Sequence, residues 1–169
     1  MALRAYTDAH PETVQNLELA SGDRFWEGFE LLVAGRTAGT VYLLGYVAEM
    51  VLKNACFLFD GARPADPVKP RLGPYRALAR QHFPAIERQR ENYHSLVFWY
   101  TALLWRRRLA RRPLAPRLAR QLGRRVARVH GMWTVAMRYY PDGQVLPNVS
   151  RSLYDDVLWI YDHRLELTI

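Results

Sequence analysis

The sequence predicts an all-α fold, an antiparallel helical bundle of about five main helices, and three observations carry that expectation. Apolar residues recur at helical spacing along most of the chain. No stretch alternates apolar and polar residues between turn signals as a half-buried strand would. Pro, Gly and Asp punctuate the chain where successive helices have to stop and turn back.

Each element follows from its own residues. A first helix is predicted over about Pro11 to Gly35, where Val14, Leu17, Phe25, Phe29 and Leu32 fall on one side. Thr37 is a candidate cap for a second, running to about Phe59, whose apolar residues lie on nearly every side, so it belongs at the centre of the bundle. Asp60 and Gly61 stop it, and the Pro- and Gly-rich stretch Gly61 to Pro74 reads as a loop. A short helix over Tyr75 to His82 and a longer one over about Ala85 to Arg112 follow, with a break around Asn92 to Ser95. The clearest periodicity is Leu114, Leu118, Leu122, Val126, Val129, Trp133, Ala136 and Tyr140, which predicts one amphipathic helix. Pro141 to Gly143 make a turn. Ser152 with Asp155 resembles a capping box opening a last helix through Leu153, Val157, Ile160, Tyr161 and Leu165.

A chain of 169 residues, 50% apolar, can bury one sizeable core, so a single domain over 1–169 is expected. Cys56 is the sole cysteine, which excludes an internal disulfide, a Cys-based zinc site and a C-x-x-C redox pair, and fits a reducing cytoplasm. Met1 to His10 carries Arg4, Asp8 and His10 and does not read as a secretory signal. The longest uncharged apolar run, Thr37 to Ala48, is broken by Glu49 and Lys53 short of the ~20 residues a membrane span needs, so a soluble protein with no membrane partner is expected.

Charge is the strongest compositional signal. The formal net charge is +8, and between Glu91 and Asp142 there is no carboxylate while eleven arginines fall inside. On a helical wheel Arg117, Arg120, Arg124 and Arg128 lie opposite the Leu114 to Tyr140 stripe, so the outer face of that helix is arginine. With Arg138 they form a candidate surface for RNA or another polyanion. Trp99, Tyr100, Trp105, Trp133, Tyr139 and Tyr140 interleave with these arginines and could stack bases, although Trp133 sits in the apolar stripe and reads as core. Glu49, inside an apolar helix, needs a partner, with Lys53 at i+4, Arg36 or Arg138 as candidates.

The segment Ala34 to Lys53, AGRTAGTVYLLGYVAEMVLK, resembles the second-helix signature of HEPN domains through Gly35, Arg36, Tyr42, Leu43, Gly45, Tyr46, Glu49, Leu52 and Lys53. Two echoes accompany it, His94-Ser95-Leu96 and Arg138-Tyr139-Tyr140-Pro141, in the family's order. An extra tyrosine before Pro141 and a long insertion between Asp60 and His94 depart from the pattern. The resemblance implies a HEPN-like helical domain associated with RNA in a prokaryotic toxin-antitoxin or defence-type system. It marks Arg36, Glu49, Lys53 and Tyr139 as a polar network or ligand site.

Many members are metal-independent endoribonucleases with an Arg-x4-6-His motif, and this chain contains Arg125-Val-Ala-Arg-Val-His130. By that resemblance Arg125 would stabilise the phosphoryl charge and His130 would handle the 2′-OH proton, at a site assembled by a homodimer. Five residues turn two side chains about 140° apart on one helix, so the pair flanks the stripe and does not converge within one chain. A second class of reading stays open: a noncatalytic helical partner of an acidic protein, such as a nucleotidyltransferase-type partner. There is no Gly-x-Gly-x-x-Gly, no Walker-type loop and no H-E-x-x-H, so neither a cofactor nor a metal is expected.

Overall fold

The computed structural model describes residues 12–87 and 94–169, and these are helical, with a lone bridge between Thr13 and Pro67 as their β pairing. Helix α1 spans Val14–Val33. It opens on a capping box in which Thr13 Oγ1 accepts from the Asn16 amide while Asn16 Oδ1 accepts from the Thr13 amide at 2.8 Å. Its buried side is Val14, Leu17, Ser21, Phe25 and Gly28, a helical stripe.

Helix α2, Thr37–Phe59, is the centre, packed by α1 and by three later helices. Val41, Leu44, Val47, Ala48, Leu52, Ala55 and Phe57 are fully enclosed, each fully buried Val, Leu or Phe contributing roughly 1.5–3 kcal/mol. One stripe of α2, formed by Gly39, Tyr42, Leu43, Tyr46, Met50 and Lys53, is only half covered. By length and composition this helix could cross a membrane, but most of its surface is buried inside the fold. Thr37 does not cap it, because it is already the first helical residue. Instead Asp142, 104 residues on, accepts from the Ala38 amide through Oδ1 at 3.1 Å, pairs with Arg36 Nε at 2.5 Å and receives the Thr37 hydroxyl on its carbonyl.

Helix α3, Val68–His82, begins inside the stretch expected to be a loop. Pro70 falls in its first turn, where amides have no intrahelical acceptor anyway, and Pro74 lies inside it. The burial of Val68, Tyr75, Leu78 and Ala79 offsets the lost backbone bond at Pro74. The stretch expected to be helical from Ala85 to Arg112 holds α4, Pro84–Glu87, and α5, Leu96–Leu109. Of the break expected around Asn92 to Ser95, residues 92 and 93 lie outside the described residues, while His94 and Ser95 are non-helical as expected. Ser95 caps α5 by accepting from the Phe98 amide.

Helix α5 ends on Arg111, whose φ of 56° puts a non-glycine residue in the left-handed region. Its amide and that of Arg112 close back onto the carbonyls of Arg108 and Arg107. Such a position favours glycine, so Arg111→Gly is expected to stabilise the fold by up to about 1 kcal/mol, raising the midpoint of urea unfolding. An unchanged or lowered midpoint would show that the arginine side chain itself holds this turn.

Helix α6, Pro116–Met132, carries the expected stripe only as far as Trp133. Trp133 is extended, its indole lies across Gly45, and its Nε1 donates to the Tyr42 carbonyl at 3.1 Å. A helical continuation is replaced by a 3-10 turn over Val135–Tyr139, so Ala136 and Tyr140 are exposed. Helix α7, Pro147–Asp162, starts five residues before the expected Ser152 cap, with Leu146 as cap and Pro147 in its first position, and Leu165 beyond its end is exposed. Helices α5, α6 and α7 close around α2 over one hydrophobic core.

Candidate nucleic-acid interface and the Glu49 centre

The arginines between Glu91 and Asp142 divide by what they touch. Arg106 Nε is 2.8 Å from Asp60, and Arg107, 5% exposed, donates to the carbonyls of Leu167 and Ile169. Burial and the neighbouring Arg112 pull the Arg107 guanidinium below its usual pKa. Arg125 Nη1 and Arg128 Nε both donate to Asp156, at 2.8 and 2.6 Å. The bond to Asp156 holds the Arg128 guanidinium above its ordinary value.

On α5, α6 and the turn between them six arginines remain on the surface: Arg108, Arg111 and Arg112 at the end of α5, and Arg117, Arg120 and Arg124 on the outer side of α6. None forms an ion pair among the described residues. Arg112 lies 5.5 Å over the Phe59 ring, and Arg138 stands apart, 4.7 Å over the exposed ring of Tyr139. Guanidinium groups without a carboxylate beside them leave a local excess of positive charge on this side of the bundle.

Arg125 and His130 are not brought together in this chain. The Arg125 guanidinium is turned to α7, held by Asp156 and 4.8 Å over the Trp159 ring. His130 is half-buried, and its Nδ1 is buried with no hydrogen-bond partner among the described residues. The capping-box resemblance of Ser152 with Asp155 puts the expected start of the last helix at Ser152. Because α7 opens at Pro147, Asp156 instead lies in the interior of the helix against α6.

The second cluster surrounds Glu49, 3% exposed. Lys53 Nζ pairs with Oε1, as the i, i+4 spacing predicted. The other partner is His94, whose Nδ1 lies 2.9 and 3.1 Å from the two carboxylate oxygens. Sequence reasoning named Arg36 and Arg138 for that role. Arg36 is taken by Asp142, Arg138 stacks on Tyr139, and Tyr139, 75% exposed, does not join the Glu49 network. The His94-Ser-Leu echo was the one available signal, since 45 residues separate His94 from Glu49 and no local spacing links them.

Tyr46 stands edge-on to His94 with ring centroids 6.1 Å apart, and edge-on to Trp133 at 5.2 Å and Tyr42 at 5.1 Å. Burial and the hydrogen bond with Tyr42 push its phenol up to about 12, so it is a proton donor at neutral pH. Tyr42, Leu43, Tyr46, Met50 and Arg24 line a cavity of about 410 Å³ beside this cluster. Arg36, Gly39, Tyr42, Arg138 and Tyr140 border a second of about 440 Å³. Among the described residues no three His, Cys, Asp or Glu side chains gather as a metal site. The chain matches no family model, no curated protein and no solved structure.

Proposed function

We propose that this chain is a HEPN-like, RNA-associated helical domain of a prokaryotic toxin-antitoxin or defence-type system, holding an RNA strand on the arginine face of α5 and α6. The six exposed arginines without a carboxylate partner carry this reading. A surface that served only solubility would have no need to segregate its acids from its bases, whereas uncompensated guanidinium groups favour a ligand that brings its own charge. Tyr139 beneath Arg138 adds a cation-backed ring on which a base can stack. Cleavage by Arg125 and His130 would require Arg125 to leave Asp156, so the reading does not rest on that pair.

Salt dependence is the test. Each phosphate neutralised on a single strand contributes about 0.7 to the slope of log affinity against log salt. Replacing Arg117, Arg120 and Arg124 together by alanine is expected to flatten that slope by about 2 in a fluorescence-anisotropy titration with a single-stranded oligoribonucleotide. Absent or salt-insensitive RNA binding overturns the proposal. If the same arginines instead capture an acidic protein, the face belongs to the noncatalytic class of partner.

A further inference from the structure

We propose that Glu49 and His94 form a carboxylate-held imidazole that acts as a general base on RNA bound beside α2. This inference rests on the RNA reading above and assigns the proton-transfer role to a residue outside the Arg125–His130 motif.

The donor and acceptor inventory sets the tautomer. A carboxylate oxygen accepts, so Nδ1, 2.9 Å from Glu49, carries a hydrogen, and in the neutral ring the lone pair is on Nε2. Nε2 has no hydrogen bond among the described residues, and the His94 side chain is 39% exposed. One ring nitrogen is locked by a buried acid and the other is open, the arrangement that prepares an imidazole for proton transfer. Lys53 on the other side of the carboxylate keeps Glu49 from turning away, and Lys53 is itself seated 5.5 Å over the Trp99 ring.

The surroundings suit a nucleotide. The edge of Tyr46 borders His94, and the cavity of about 410 Å³ that Tyr46 and Tyr42 line is large enough for a base. Arg138 lines the neighbouring cavity of about 440 Å³ together with Tyr42, which places a permanent cation on this side of α2.

In the proposed step His94 Nε2 takes the proton of a ribose 2′-OH, and O2′ forms a bond to the adjacent phosphorus as the P–O5′ bond breaks. The 5′-oxygen leaves with a proton from water, and His94 returns its own to solvent. The products are a 2′,3′-cyclic phosphate and a 5′-hydroxyl end, with no redox change and no cofactor. Glu49 is the positioning residue.

The experiment uses the full chain with a fluorescent oligoribonucleotide in EDTA, measuring affinity and cleavage side by side. Wild type is expected to cleave, leaving cyclic phosphate, and not to cleave the all-deoxy strand. His94→Ala should lose about 10²–10⁴-fold in rate with RNA affinity unchanged, which also reports that it is folded. Added imidazole should restore part of that loss, a rescue that repair of a merely structural histidine would not give. Glu49→Gln should lower kcat with KM unchanged. Binding without cleavage by wild type, or undiminished cleavage by His94→Ala, overturns this proposal and leaves the RNA-binding reading standing. Loss of RNA binding in wild type overturns both.

Discussion

Alanine in place of Asp156 is expected to lower stability by about 3 kcal/mol, seen as a fall in melting temperature of roughly 6–12 °C. The carboxylate is 2% exposed and serves two guanidinium groups from α6. Removing it leaves Arg125, whose side chain is 26% exposed, as a desolvated cation between α6 and α7. Arg128, at 51%, can rehydrate, so Arg128→Ala should cost far less than Asp156→Ala. RNA affinity should move the other way, because Arg128 would be released to the basic face and the salt slope should steepen by about 0.7. A variant that melts with wild type would show that the apolar contacts between α6 and α7 suffice without the ion pairs.

Gly45→Ala is expected to cost about 3 kcal/mol by urea unfolding. A β-carbon there would lie 2.0–2.2 Å from three atoms of the Trp133 indole, far inside contact distance. The ring cannot step aside cheaply, since its Nε1 is bonded to the Tyr42 carbonyl and its edge is packed by Tyr46. Pairing Gly45→Ala with Trp133→Leu should cost less than the sum of the single changes, because the smaller side chain accepts the new methyl. Strict additivity in that double-mutant cycle would place the strain elsewhere. One indole fills the space that the missing β-carbon leaves at Gly45.

Periodic helices were legible because periodicity is local. The stripe of α1, the burial of α2 and the Leu114 to Trp133 seam of α6 depend on spacings within a few turns, and the structure shows them. The ends of helices were less legible. Proline signals at 70 and 74 outweighed the buried Val68, and the pull of Trp133 toward Gly45 ended α6 before its pattern did. The candidate site was hardest, since its pairings join Glu49 to His94 and Arg125 to Asp156 across 45 and 31 residues. Composition announces that an arginine-rich stretch exists, but only the folded chain decides which guanidinium groups are spent on internal carboxylates.

The cap that Asp142 provides for α2 also bears on how the chain comes off the ribosome. The first turn of the central helix has no side-chain cap of its own, and its acceptor is encoded 104 residues later. At about 5–20 residues per second, that start waits several seconds or more after its own synthesis before Asp142 emerges. During that interval α1 and α2 can pair through their apolar sides, while the first turn around Arg36 to Ala38 remains frayed. Closure of the bundle and completion of its central helix are therefore one late event, timed by the 3-10 turn that carries Asp142.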